Sequence, residues 1–157
     1  MKVLISGCLL GHDVRWNGVN KHAPEIVEWA ESEGIHLVPV CPEDMLYGTP
    51  RAPIKLTLVG QDVHAVVGGE DVFENLRTTC RSIQNDHPDA VGFIGMGGSP
   101  TCGIGVGVKK LGTTIKGAFH QVAEMPTTDI NQLKSTKTRE MFLQRIKKYR
   151  SSCARFV

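Results

Sequence analysis

The sequence predicts an α/β domain organised around a mainly parallel sheet. Two observations carry this expectation. Short apolar runs rich in β-branched residues recur along the chain, and most are separated by stretches with helical spacing. One alternating segment in the middle departs from this order and has the pattern of a hairpin.

Taken in order, KVLISG (2–7) is a β-branched run closed by glycine and suits a buried strand. APEIVEWAESEG (23–34) predicts a helix, with Pro24 suited to the first turn, Gly34 as a stop, and Ile26, Val27 and Ala30 as an apolar face. IHLVPVC (35–41) is a second strand, ended by Pro-Glu-Asp. IKLTLVGQDVHAVV (54–67) alternates around Gly60-Gln61-Asp62 as a hairpin does. EDVFENLRTTCRSIQNDHP (70–88) puts Val72, Phe73, Leu76, Cys80 and Ile83 on one helical face. DAVGFIG (89–95) is a third buried strand, and TREMFLQRIKKYR (138–150) is an amphipathic helix. Strand, helix, strand, hairpin, helix, strand describes a single Rossmann-like three-layer domain over 1–157.

A length of 157 residues suffices for one full core, and 41% hydrophobic with 22% charged residues is ordinary for a globular protein. A formal net charge of +2 argues against a polyanion-binding surface, so no nucleic-acid partner is expected. The late basic runs, KKLGTTIK and RIKKYRSSCAR, read as a solvated helix face and tail. No signal-peptide pattern opens the chain, and no run of about 18 apolar residues spans a membrane. A cytoplasmic protein, monomer or homodimer, is expected. Five widely spread cysteines in such a compartment point to metal binding or catalysis rather than to disulfides.

The placement of those cysteines is informative. Cys8 follows the first strand, Cys41 closes the second, and Cys102 lies in GGSPTCG after the third. Ligands of open α/β sheets bind outside the carboxyl ends of the strands, so the three thiols are expected to converge there. Cys80 falls on an apolar helix face and reads as a small core residue, while Cys153 has no motif around it. Spacing leaves three readings of the converging set open: unrelated structural cysteines, zinc with His12 or His120 as a fourth ligand, or an iron–sulfur cluster held by three thiolates.

The segments ISGCLLGHDVRWNG, VCPED followed by YGTPRAP, and GGSPTCG resemble, in order, the three signature segments of the thiouracil desulfurase family. The resemblance covers residues 3–106, leaving 107–157 as a C-terminal helical extension. The segment from GAFHQVAEM to REMFLQRIKKYR looks like the stretch that follows this domain in longer members, which carry a second domain expected to be absent here. The resemblance implies a [4Fe–4S] cluster with three cysteine ligands, Cys8, Cys41 and Cys102, and one open iron. It implies non-redox removal of sulfur from a thiolated uracil, such as 2-thiouracil, to give uracil and hydrogen sulfide. Glu43 matches the glutamate of Cys-Pro-Glu and is implied as general base or proton donor; Ser99 is implied as a hydrogen-bonding or proton-relay group. Gly97, Gly98 and Gly103 are implied to let the backbone approach the cluster. Arg15 and Arg51 also match family arginines, Arg15 expected to brace loops and Arg51 to brace or to contact substrate. Met96, Gly97 and Thr101 depart from the family pattern, which has polar side chains and a serine there.

A metal or cluster carrier that turns nothing over is the alternative function. A nucleotide-binding module is a third, although the glycine-rich run after the third strand matches neither a dinucleotide fingerprint nor a P-loop.

Overall fold

The computed structural model describes residues 1–108 and 112–154. Lys109 and Lys110 of the first basic run and Arg155 of the second lie outside the described residues.

A four-stranded sheet forms the centre, in the order β2-β1-β6-β9, with every neighbouring pair parallel. Its strands are β1 (Lys2–Ser6), β2 (His36–Val40), β6 (Ala90–Gly95) and β9 (Thr127–Asp129). β1 and β6 lie in the middle of the sheet and are the apolar runs of the sequence. β2 is an edge strand, which is why it tolerates Pro39, a residue with no N–H to give to a further strand.

Helices cover both faces, as a parallel sheet requires. On one side, α1 (Pro24–Ser32) and α5 (Thr136–Cys153) bury Ile26, Ala30, Phe142, Leu143 and Ile146 against Val3, Ile5, Val91 and Ile94. On the other, α3 (Phe73–Asp86) and α4 (Ala118–Val122) bury Phe73, Leu76, Cys80, Ile83 and Phe119 against Leu4 and Phe93. Phe93 and Phe119 stack with ring centroids 3.8 Å apart. The expected three-layer α/β architecture is therefore present, with its core split by the sheet into two apolar layers.

A separate three-stranded antiparallel sheet, β3 (Lys55–Val59), β4 (Asp62–Val67) and β5 (Glu70–Asp71), holds the expected hairpin. The helix expected from residue 70 begins at Phe73, because Glu70 and Asp71 pair with β4 instead. Asp71 Oδ1 accepts both Ala65 N–H and Phe73 N–H, so one carboxylate ends the strand and starts the helix.

Four elements had no clear trace in the sequence. α2 (Pro42–Tyr47) follows β2 directly, with Pro42 at its first position and Glu43 and Asp44 in its first turn. β9 is the polar triplet Thr-Thr-Asp, paired with Phe93, Ile94 and Gly95. A two-strand ribbon, β7 (Val106–Gly107) with β8 (Thr114–Ile115), leads into α4. The segment read as a helical extension thus also supplies a strand of the central sheet.

Candidate functional site

The carboxyl ends of β1, β2 and β6 open onto one cavity of about 250 Å³, and Cys8, Cys41 and Cys102 all line it. Cys8 sits in a 3-10 turn, Gly7–Leu10, immediately after β1. Cys41 is the residue preceding the first turn of α2, extended at φ −145°. Cys102 lies in the loop that follows β6. The convergence expected from strand order is present, and Glu43, Ser99, Arg15 and Arg51 line the same cavity. Cys80 is buried in the α3 layer and Cys153 is exposed near the end of α5; neither lines it.

The Cys102 loop is fastened from three directions. Ser99 Oγ accepts N–H bonds from Thr101 (3.2 Å) and Cys102 (3.0 Å), and Gly103 N–H returns to the Ser99 carbonyl (2.9 Å). Gly103 is required for this tight return, since a Cβ there would lie 2.8 Å from Gly98 N and 2.9 Å from Ser99 N. The amides of Gly117, Ala118 and Phe119 donate to the carbonyls of Gly103, Pro100 and Thr101. His120 Nε2 donates to the Cys102 carbonyl at 2.7 Å, which fixes the Nε2–H tautomer. Beneath that carbonyl lies Gly95, whose added Cβ would stand 1.6 Å from the oxygen. The backbone of Cys102 therefore has a single available position.

Burial raises the pKa of each lining thiol. Cys8 is pushed up to about 11 by burial and then by Cys41, with Arg15 pulling the other way. Cys41 is raised chiefly by burial, opposed by the backbone N–H of Asp44 and by the Arg51 guanidinium. Cys102 is raised by burial and by Cys41, opposed by the Ser6 hydroxyl. Three such sulfurs become thiolates together only around a positively charged centre. Among the described residues no three His, Cys, Asp or Glu side chains close on a single point, as one metal ion requires. Neither His12, which is exposed, nor His120 lines the cavity, so the zinc reading finds no fourth ligand in either. An all-sulfur set ringing a cavity is the donor chemistry of a cluster, which spreads its ligands over several irons.

Glu43 is the carboxylate at this cavity, and four donor atoms address it. Thr101 Oγ1 donates to Oε1 at 2.7 Å and Ser99 Oγ points at the same oxygen from 3.4 Å. Arg51 donates to Oε2 through Nε (3.3 Å) and Nη2 (3.1 Å). Both partners of this ion pair are largely buried, with side chains 5% and 12% exposed. Arg51 also donates to the carbonyls of Val14 and Gly48 and to Thr49 Oγ1, each at 3.0 Å. Arg51 is therefore the brace. Arg15, expected in that role, lines the cavity, and its side chain makes no hydrogen bond or ion pair among the described residues. Asp44 bonds Thr49 and takes no part in the cavity.

Sequence reasoning missed Thr101 as a participant, treating it as a departure from serine. It is fully buried, and its hydroxyl makes the shortest contact to Glu43. Threonine keeps the hydroxyl that serine would offer, which was the available signal.

A cysteine-lined pocket at the carboxyl edge of a parallel sheet, with a clamped carboxylate in its wall, is the site that this α/β fold builds. The family described as 2-thiouracil desulfurase matches residues 3–144, and this chain belongs to that family. The match extends past residue 106 through β9 and into α5, the elements that close the sheet. A solved structure described as a [4Fe-4S]-dependent thiouracil desulfidase, TudS, matches with a TM-score of 0.68 at 22% identity. That match covers 89% of this chain and 97% of the other, and the likeness is one of fold. No curated protein matches the sequence.

Proposed function

We propose that this chain removes sulfur from a thiolated uracil, the thiocarbonyl and water giving a carbonyl and hydrogen sulfide. The single observation that carries the reading is the meeting of Cys8, Cys41 and Cys102 with Glu43 in one cavity. Cys8, Cys41 and Cys102 would hold a [4Fe–4S] cluster, leaving one iron without a protein ligand. When bound, the cluster supplies a soft Lewis acid suited to the thiocarbonyl sulfur.

The remaining work falls to side chains. Glu43 takes a proton from the water that attacks the thiocarbonyl carbon and returns it to the departing sulfur or the ring. Water's oxygen ends on carbon and both of its protons leave with sulfide, so the reaction needs no oxidant or reductant. Thr101 and Arg51 fix the carboxylate so that neither oxygen swings away from the cavity. Ser99 is the looser partner: its lone pairs are taken by two backbone N–H groups, which turns its proton toward Glu43 at 3.4 Å. That proton is the one available for relay.

Protein assembled without oxygen is expected to carry about four irons and four acid-labile sulfides per chain. It is expected to release sulfide and uracil from 2-thiouracil, and Glu43→Gln to stop release while keeping the iron. Iron-loaded protein that releases no sulfide from any thiopyrimidine would leave only the carrier reading.

A further inference from the structure

We infer that Arg15 and Trp16 form the ring-recognition edge of the cavity, Trp16 giving a flat face to the pyrimidine and Arg15 two N–H donors to its remaining carbonyl oxygen. This deepens the desulfidase reading and rests on it.

The two residues sit on the loop between the 3-10 turn and α1, and their backbone is tied down. Arg15 N–H donates to Val19 O (3.1 Å), Gly18 N–H to Arg15 O (2.8 Å), and Arg51 N–H to Trp16 O (2.8 Å). The carbonyl before them, Val14 O, accepts Arg51 Nη2 at 3.0 Å. The side chains thus project into the cavity wall from a fixed main chain, and both line it.

The other polar side chains of that wall are already engaged. Glu43 and Arg51 hold each other, Ser99 holds the Cys102 loop, and Ser6 Oγ accepts Met96 N–H at 2.9 Å. Arg15 differs. It is half-buried, and its guanidinium of five donors has no hydrogen-bonding partner among the described residues. Trp16 is 44% exposed, a large aromatic left at the rim of the cavity. An aromatic face and an unused planar fork, side by side in a cavity of about 250 Å³, match a single flat ring bearing a carbonyl oxygen. A uracil whose sulfur is on one carbon still carries such an oxygen on another.

Equilibrium dialysis of the cluster-loaded full chain against radiolabelled uracil, a product with no sulfur to lose, tests this directly. Dihydrouracil, which keeps both carbonyls but is puckered, is the comparison ligand. The expected result is tighter binding of uracil than of dihydrouracil. Arg15→Gln weakens both ligands roughly tenfold or more, and Arg15→Lys recovers part of the loss. Trp16→Leu abolishes the preference for the planar ring. Iron content stays unchanged in all three variants.

Unchanged uracil affinity in Arg15→Gln and Trp16→Leu overturns the inference, and so does iron loss that tracks the loss of binding, which would make Arg15 a cluster-holding residue. Uracil binding that depends on these residues, in a protein that releases no sulfide from 2-thiouracil, overturns the desulfidase reading and leaves the ring edge standing. Sulfide release with kcat/KM unchanged in both variants does the reverse.

Discussion

Cys80 and Cys102 are both buried, both belong to the apolar layer beneath α3 and α4, and both have thiol pKa values raised chiefly by burial. Their surroundings separate them. Cys80 lies on the inward face of a regular helix, its backbone bonded within that helix. Cys102 lies in a loop whose amide is held by Ser99, whose carbonyl is held by His120, and whose sulfur opens onto the cavity. Burial alone therefore does not distinguish the core thiol from the cavity thiol. The investment of other residues in fixing the backbone does.

The sharpest way to break this comparison is to remove each sulfur. Cys102→Ser, like Cys8→Ser and Cys41→Ser, is expected to abolish iron and acid-labile sulfide together, while Cys80→Ser keeps both. Iron analysis that reversed the two would show that the clamped loop serves something other than a ligand. Next comes Gly95→Ala, which touches no ligand but drives a methyl into the Cys102 carbonyl. It is expected to cost about 3 kcal/mol in urea unfolding, at the upper end for overpacking, and to lower iron retention. A variant with wild-type iron and wild-type midpoint would mean the carbonyl has room to move.

A smaller effect sharpens the picture on the chemical side. Thr101→Val removes the 2.7 Å bond to Glu43 without changing shape, and kcat for sulfide release should fall roughly ten- to hundredfold with KM and iron unchanged. Thr101→Ser should recover most of the rate; a serine variant as slow as the valine one would rule out the hydroxyl as the reason. The mildest expectation is Cys80→Ser, which buries a hydroxyl in an apolar layer at a cost of about 1–3 kcal/mol while activity at room temperature persists. Unchanged stability there would mean the new hydroxyl finds a partner.

Much of the site was legible because it is tied to strand ends. Cys8, Cys41 and Cys102 each follow an apolar run that any sequence reading marks as a strand, and parallel order brings such ends together. Glu43 and Ser99 came with the motifs around those cysteines. α2 was not legible, since six residues are too few to show helical periodicity. β9 was hidden for a different reason: its three residues are polar, and they pair with β6 through backbone groups that carry no compositional mark. Arg51, left open between bracing and substrate contact, is the brace and Arg15 is not, because bracing depends on which carbonyls a guanidinium reaches once the loops have folded.

By itself the sequence determined that three thiols would meet at the carboxyl edge of a parallel sheet, because the period and order of apolar runs set strand direction, while the carboxylate came with the family resemblance. Only the tertiary structure decided how they are held. Thr101 meets Glu43 across 58 positions, Ser99 across 56, and His120 reaches Cys102 across 18. Hydrogen bonds of that reach depend on where α2 and α4 dock, and docking is set by packing against both faces of the sheet rather than by any local pattern.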